Sequence, residues 1–161
     1  TMPGRMEVAP GAYGTPKVVV DYAHNTDALE KVLTGLAAQC RGRLSCVVGC
    51  GGNRDRGKRP EMAQVASNLS DHLWLTSDNP RDEAPADILH DMLSGLSMEQ
   101  RQHASAVEDR GAAIAQAVRT ASVDDLVVIA GKGHEDTQEI AGVKYPFSDV
   151  AYVENMFKEN A

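Results

Sequence analysis

Four short stretches hold most of the residues in this sequence that could act on a small charged molecule. Residues 49–60 read GCGGNRDRGKRP. Gly49, Gly51 and Gly52 allow tight turns and let a ligand approach the backbone. Arg54, Arg56, Lys58 and Arg59 are four of the chain's sixteen basic residues, and with Asp55 they give the stretch a net charge of +3. A helix starting near Pro60 would add the positive end of its dipole, so an anionic group is the expected ligand. Gly52-x4-Gly57-Lys58 comes close to a phosphate-binding loop, but Arg59 stands where that motif needs Ser or Thr to hold Mg²⁺. This rejects an autonomous nucleotide hydrolase. The plainer alternative is a solvated basic loop.

The second stretch, residues 78–81, reads DNPR. Asp, Asn and Pro alone describe a turn. Arg81 adds a planar fork suited to bidentate carboxylate binding. The third, residues 131–135, reads GKGHE. Two glycines, a cation, an imidazole and a carboxylate in so short a run rarely serve packing, although a tight turn with solvated charges has the same composition. His134 alone is more readily an orienting or surface group than a catalyst. The fourth, residues 21–25, reads DYAHN. A carboxylate such as Asp21 at the end of a strand suits a ribose hydroxyl. The alternative is helix capping by Asn25 beside a satisfied His24.

These stretches share a position relative to the elements around them. Residues 17–23 (KVVVDYA) form an apolar, β-branched run that predicts a buried strand. Leu29, Val32, Leu33 and Leu36 then recur at helical spacing. The alternation repeats, with strands predicted at 44–49, 72–76, 103–107 and 126–130. Helices are predicted from Pro60, over 85–96, over 109–121 and after Ser148, and an edge strand over 138–143. Strands alternating with helices imply βαβ units. The expected fold is α/β, a Rossmann-like three-layer sandwich whose mostly parallel sheet of about six strands carries helices on both faces. In such sheets ligands sit beyond the carboxyl ends of the strands. All four stretches follow predicted strands, so all four should open on one edge.

Composition narrows the classes. The chain has 161 residues, which suits one domain of about 100–200 residues. Its net charge of −7 disfavours nucleic acid as a main partner. No apolar run approaches the about 20 residues of a membrane span. Cys40, Cys46 and Cys50 are too few, and odd in number, for a disulfide framework. Leu44, Cys46, Val48 and Cys50 fall on one side of a predicted strand, which favours core filling over a metal or redox role. A reducing cytoplasm is the expected compartment. No secretory leader pattern is present.

With these motifs in order, the chain resembles the C-terminal domain of the Mur ligases, and within that family the branch that adds meso-diaminopimelate. The resemblance runs from GRME at residues 4–7 through DYAHN, GCGGNRDRGKRP, DNPR and GKGHED to FSD at residues 147–149. DYAHNT replaces the more usual DYAHTP, and Asn53 stands where Asp is frequent. The resemblance implies residues 1–16 as a hinge or lead-in from a preceding ATP-binding domain and residues 17–161 as the amino-acid-binding domain. It implies an ATP-dependent amide-forming ligase of peptidoglycan precursor synthesis, joining meso-diaminopimelate to UDP-N-acetylmuramoyl-L-alanyl-D-glutamate through an acyl phosphate. Arg54, Asp78, Asn79, Pro80, Arg81, Gly131 and Glu135 would line the diaminopimelate site. Arg5, Asp21 and His24 would contact ATP. The Mg²⁺ ligands, the complete phosphate loop and the UDP site would lie in other domains, leaving these residues monomeric and inactive alone. The alternatives are another member of the superfamily, such as a D-Ala-D-Ala-adding or folylpolyglutamate enzyme, and an unrelated α/β anion- or nucleotide-binding module.

Overall fold

The runs KVVVD, LSCVVGC, HLWLTS and LVVIA are rich in β-branched and aliphatic residues with few solvent-facing positions, a composition that suits strands covered on both faces. A computed structural model of the chain describes residues 7–9 and 14–159 and forms that covered sheet. Its strands are β1 (Glu7–Ala9), β2 (Lys17–Asp21), β3 (Leu44–Cys50), β4 (His72–Ser77), β5 (Ala104–Ala106) and β6 (Leu126–Ala130), in the order β1-β2-β6-β3-β4-β5. All pairings are parallel except β1 with β2. Lys17 pairs with Leu126 and Asp21 with Ala130, so β2 and β6 end level.

The helices are α1 (Thr26–Ala37), α2 (Lys58–Leu69), α3 (Pro85–Leu93), α4 (Met98–Arg101), α5 (Arg110–Thr120) and α6 (Asp149–Glu159). Strand order and handedness assign them to faces. The steps β2 to β3, β3 to β4 and β4 to β5 all run one way across the sheet, and right-handed crossovers then place α1, α2 and α3 on one side. The step from β5 back to β6 reverses direction, which sends α5 to the other side. The core divides accordingly. Leu29, Leu33, Met62 and Met92 pack over Cys46, Val48, Leu75 and Val128. Ile114, Val118, Val153 and Phe157 pack over Val47, Trp74, Val127 and Ile129. Cys46 lies inside the first core as the strand pattern predicts, and burial pushes its thiol up to about 12.

Local chemistry sets the helix starts. The Asn25 and Asp109 side chains accept from the Ala28 and Ala112 N–H groups at 2.8 Å. Ser148 Oγ accepts from Ala151 N at 3.2 Å. Helix α3 stops at Leu93 rather than running to Leu96, and Gly95 just beyond it sits against Pro60 of α2, where a Cβ would lie 2.2 Å from the Pro60 oxygen. The short α4 carries a Ser97–Gln100 capping box that the periodicity reading does not include.

Two strand expectations change. Residues 138–143 do not form an edge of the main sheet. They contribute to a separate antiparallel hairpin, β7 (Thr137–Ile140) and β8 (Val143–Pro146). Ala141 and Gly142 turn it with φ of 51° and 81°, the doubly positive pattern of a tight hairpin turn. Residues 7–9, within the expected lead-in, pair as a strand with β2.

Candidate functional site

The order β2-β6-β3-β4 puts β6, the last strand of the main sheet in sequence, between β2 and β3, the strands joined by the first parallel crossover. The crevice at this switch of direction is where α/β sheets bind ligands. The four polar stretches converge there around a cleft of about 430 Å³. Arg54, Asp78, Asn79, Arg81, Gly131 and Glu135 all line it. Pro80 is buried behind the wall, with its carbonyl so close to Gly52 that a Cβ there would lie 1.8 Å from the oxygen. His24 lines this cleft and an adjoining recess of about 310 Å³, which Asp21 also lines. Asp21 is 5% exposed, and its Oδ2 accepts from Ala23 N at 2.8 Å. Arg5 lies outside the described residues.

The loops are laced together before any ligand arrives. Gly52 N donates to the Asn79 carbonyl at 2.7 Å, and Arg81 Nη1 donates to the Gly52 carbonyl at 3.0 Å. Glu83 accepts from Asn53 N at 2.6 Å, and Asp82 from the Asn53 side chain at 2.8 Å. Asn53 and Arg81 hold φ of 56° and 53°, a region most residues avoid. For Arg81 the hairpin secures that conformation. Its N–H donates to the Glu139 carbonyl at 3.0 Å and its carbonyl accepts from Ala141 N at 2.7 Å. Glu139 Oε1 also lies 3.7 Å from Arg81 Nε. Gly131 adopts φ of 112° beside the Asp78 carboxylate, a conformation that requires glycine.

The basic run divides into two roles. Arg59 is 1% exposed and donates to Glu83 at 2.7 Å, to Asp91 at 2.9 Å and to the Gly51 carbonyl at 3.1 Å. Arg56 adds an exposed pair with Asp91 at 3.1 Å. The hydrogen bond from Arg59 and that from the Asn53 amide hold the Glu83 carboxyl below its usual range. Arg56 and then Arg59 do the same for Asp91. Half of the run's positive charge is thus neutralised in scaffolding. Arg54, whose Nη1 reaches only the Asn53 carbonyl at 3.1 Å, and Lys58, at the start of α2, remain to face the cleft. A net-charge count could not separate these pairs, because their partners Glu83 and Asp91 lie in a distant segment.

Several residues of the cleft are not assigned to a ligand by the sequence reading. Tyr22, Cys50 and Met62 line it. Burial, reinforced by Asp78 nearby and opposed by Arg59, pushes the Cys50 thiol up to about 12. Lys132, read from sequence as a loop cation, is completely buried under the cleft. A salt bridge beneath the site is also absent from the sequence reading. Arg110, 1% exposed, makes two 2.8 Å bonds to Asp149 and also donates to the Ser77 and Ala130 carbonyls at the ends of β4 and β6. Although burial disfavours its charge, the Asp149 carboxylate keeps the Arg110 guanidinium above its ordinary value.

Among the described residues no group of three or more His, Cys, Asp or Glu side chains is placed to hold a metal ion. No helix among them is long and apolar enough to cross a membrane. Chemically, the cleft offers guanidinium donors at Arg54 and Arg81 and carboxylate acceptors at Asp78 and Glu135. That polarity suits a molecule carrying both carboxylate and ammonium.

Comparison with known proteins places this architecture. A model of the Mur ligase glutamate ligase domain matches residues 4–133. The UDP-N-acetylmuramoyl-L-alanyl-D-glutamate–2,6-diaminopimelate ligase of Pseudomonas syringae pv. tomato is 54% identical over 147 residues, which is 91% of this chain and 30% of that protein. The ligase of the same name from Ralstonia nicotianae is 55% identical over 153 residues, 93% of this chain and 29% of that protein. A solved structure of a ligase with that name superposes with a TM-score of 0.91 at 44% identity, covering 99% of this chain and 32% of its own. A Yersinia pestis bifunctional folylpolyglutamate synthase/dihydrofolate synthase shares the fold, with a TM-score of 0.62 at 23% identity over 81% of this chain. The chain spans about 30% of the length of the curated relatives it matches. From the matched model, the identities and the superposition together, the chain belongs to the Mur ligase family, as its C-terminal, glutamate ligase domain.

Proposed function

We propose that this domain is the amino-acid-binding part of an ATP-dependent ligase that adds meso-diaminopimelate to UDP-N-acetylmuramoyl-L-alanyl-D-glutamate. The observation that carries the reading is the convergence of Arg54, Arg81, Asp78 and Glu135 on one cleft. Meso-diaminopimelate has an amino-acid group at each end. While one amine reacts, the distal carboxylate and ammonium need a fork and an anion side by side. Arg81 and Arg54 supply the first, Asp78 and Glu135 the second, and the Asn79 amide and Gly131 backbone complete the wall with Pro80 behind it. Lysine lacks the distal carboxylate and would offer Arg81 no substrate anion.

In the full ligase the D-glutamate carboxylate accepts the γ-phosphoryl group of ATP, giving an acyl phosphate and ADP. The amine of the bound amino acid attacks the acyl carbon. A C–N bond forms, the C–O bond to phosphate breaks, and the amine proton is lost to solvent or a nearby base. The task of this domain is positioning, which alone can contribute a large part of such an acceleration. We assign Asp21 and His24, at the adjoining recess, and Arg5 to the ATP side. No step is assigned here to Mg²⁺. Because nucleotide-linked precursors and ATP are cytoplasmic substrates and all three cysteines are free, we place the reaction in the cytoplasm.

The test is amino-acid-dependent phosphate release by the full-length ligase carrying this domain, with ATP, Mg²⁺ and the UDP-linked dipeptide. Meso-diaminopimelate should support turnover, and lysine should support it very poorly. Equal rates with both, or turnover only with D-Ala-D-Ala, would overturn the assignment.

A further inference from the structure

Lys132 is the one lysine among the described residues buried completely, and its ammonium joins three segments of the site. It donates to Asn79 Oδ1 at 3.0 Å and to the Thr137 carbonyl at 2.8 Å. The Asp78 and Glu135 carboxylates lie 3.3 and 3.6 Å away. A lysine ammonium has three protons and no acceptor, so this environment uses it fully. Burial without such partners would be strongly unfavourable. Asp78 and Glu135 both line the cleft and carry like charges. Lys132 sits between them on the buried side, where it offsets their repulsion.

The same ammonium settles the orientation of Asn79. Asn79 Oδ1 accepts from Lys132 Nζ and also from Glu139 N at 2.9 Å. Both lone pairs of that oxygen are engaged, so Nδ2 with its two protons is the edge left for the cleft that Asn79 lines. With Arg81 beside it, one wall then donates, while Asp78 and Glu135 accept.

We infer that Lys132 is a positioning residue for the amino-acid substrate: from beneath the cleft it fixes Asn79 as a donor toward a substrate carboxylate and sets Asp78 and Glu135 as the acceptor pair for a substrate ammonium. Lys132 itself does not touch substrate. The inference deepens the proposed function and rests on it.

The experiment uses the full-length ligase with meso-diaminopimelate, ATP and the UDP-linked dipeptide, each varied in turn. Lys132→Met keeps the length of the side chain and removes the ammonium. The expected result is an about 100-fold rise in KM for diaminopimelate, with KM for ATP and for the dipeptide within about 2-fold of wild type. A lower Tm with an unchanged KM for diaminopimelate would make Lys132 a fold residue only and overturn the inference. If Lys132→Met does not fold, Asn79→Asp decides. It keeps the oxygen that Lys132 and Glu139 bond but replaces the two-proton donor by an acceptor. KM for diaminopimelate should then rise by about 30-fold or more. An unchanged or lowered KM would mean that Asn79 Nδ2 does not serve a substrate carboxylate, which overturns the proposed orientation. A wild-type enzyme that does not respond to diaminopimelate would instead overturn the proposed function, and this inference with it.

Discussion

Arg81 Nη1 and the Gly52 carbonyl meet at 3.0 Å, joining two loops that lie 29 residues apart in sequence. The bond has two consequences. It orients the guanidinium along the cleft wall, and it couples Arg81 to the glycine loop whose own N–H is held by the Asn79 carbonyl. The hairpin secures Arg81 from the other side through its main chain. An arginine so restrained has little orientational freedom left to lose when it meets a carboxylate.

Replacing Arg81 by Ala in the full-length ligase removes that fork and leaves the substrate carboxylate under-satisfied. kcat/KM for meso-diaminopimelate should fall by about 30–1000-fold. Preference over lysine should narrow without lysine becoming a good substrate, since Glu135 and Arg54 remain. Phosphate release with both amino acids measures this. An unchanged rate and preference would reduce residues 78–81 to a turn.

Gly52→Ala tests the loop contact without touching a charge. The new Cβ would fall 1.8 Å from the Pro80 oxygen, backbone that cannot swing aside as a side chain would. The two loops must part, at a cost of about 1–3 kcal/mol. The expected readout is a lower Tm together with a raised KM for diaminopimelate. Gly35, inside α1 with open space around the position of a Cβ, serves as the control: Gly35→Ala should leave KM near wild type and raise rather than lower Tm, because alanine favours a helix interior by about 0.5–1 kcal/mol.

Asp149→Asn leaves the buried Arg110 guanidinium without its counter-charge. Breaking such a pair costs about 3–5 kcal/mol. Because Arg110 also bonds the Ser77 and Ala130 carbonyls, the loss should loosen the ends of β4 and β6 first. Amide exchange at residues 77–79 and 130–132 should accelerate more than exchange within β3. Uniform protection throughout would contradict this role.

The Glu83 and Asp91 carboxyls, both held low by arginine hydrogen bonds, make a pH-dependent contribution. Their folded pKa values lie below the unfolded ones, so the folded state binds fewer protons. Their stabilisation is complete above the unfolded values of about 4.3 and 3.9 and is lost as pH falls through the lower folded values. Tm should therefore decline on acidification through that window, and Glu83→Gln should flatten the decline while lowering Tm at neutral pH. A variant with the wild-type acid slope would rule out this source.

Cys46 and Cys50, with thiols pushed up to about 12, should resist alkylation at neutral pH, although Cys50 lines the cleft. Mass spectrometry after brief iodoacetamide treatment of the native protein should find label on the partly exposed Cys40 only. Rapid labelling of Cys50 would show that its surroundings carry more positive charge than Arg59 supplies.

Much of this molecule follows from its sequence taken alone. Short unbroken apolar runs locate the parallel strands, because helices cover them on both faces, and the 3.6-residue recurrence of apolar residues locates those helices, because each buries one face. Chain order then brings the ends of β2, β3, β4 and β6 to one edge, and the four polar stretches that follow these strands are therefore grouped by sequence alone. Tertiary structure alone decided what each charge does there. Arg54 and Arg59 are indistinguishable as letters in one basic run, yet one faces the cleft and the other is spent on Glu83 and Asp91. Lys132 looks like a loop cation and is buried completely. The hairpin at residues 137–146, read in part as a sheet edge, holds Arg81 at a positive φ. The physical reason is common to all three: periodicity reports which faces are apolar, whereas pairing of charges depends on distances between segments far apart in the chain, which only packing sets.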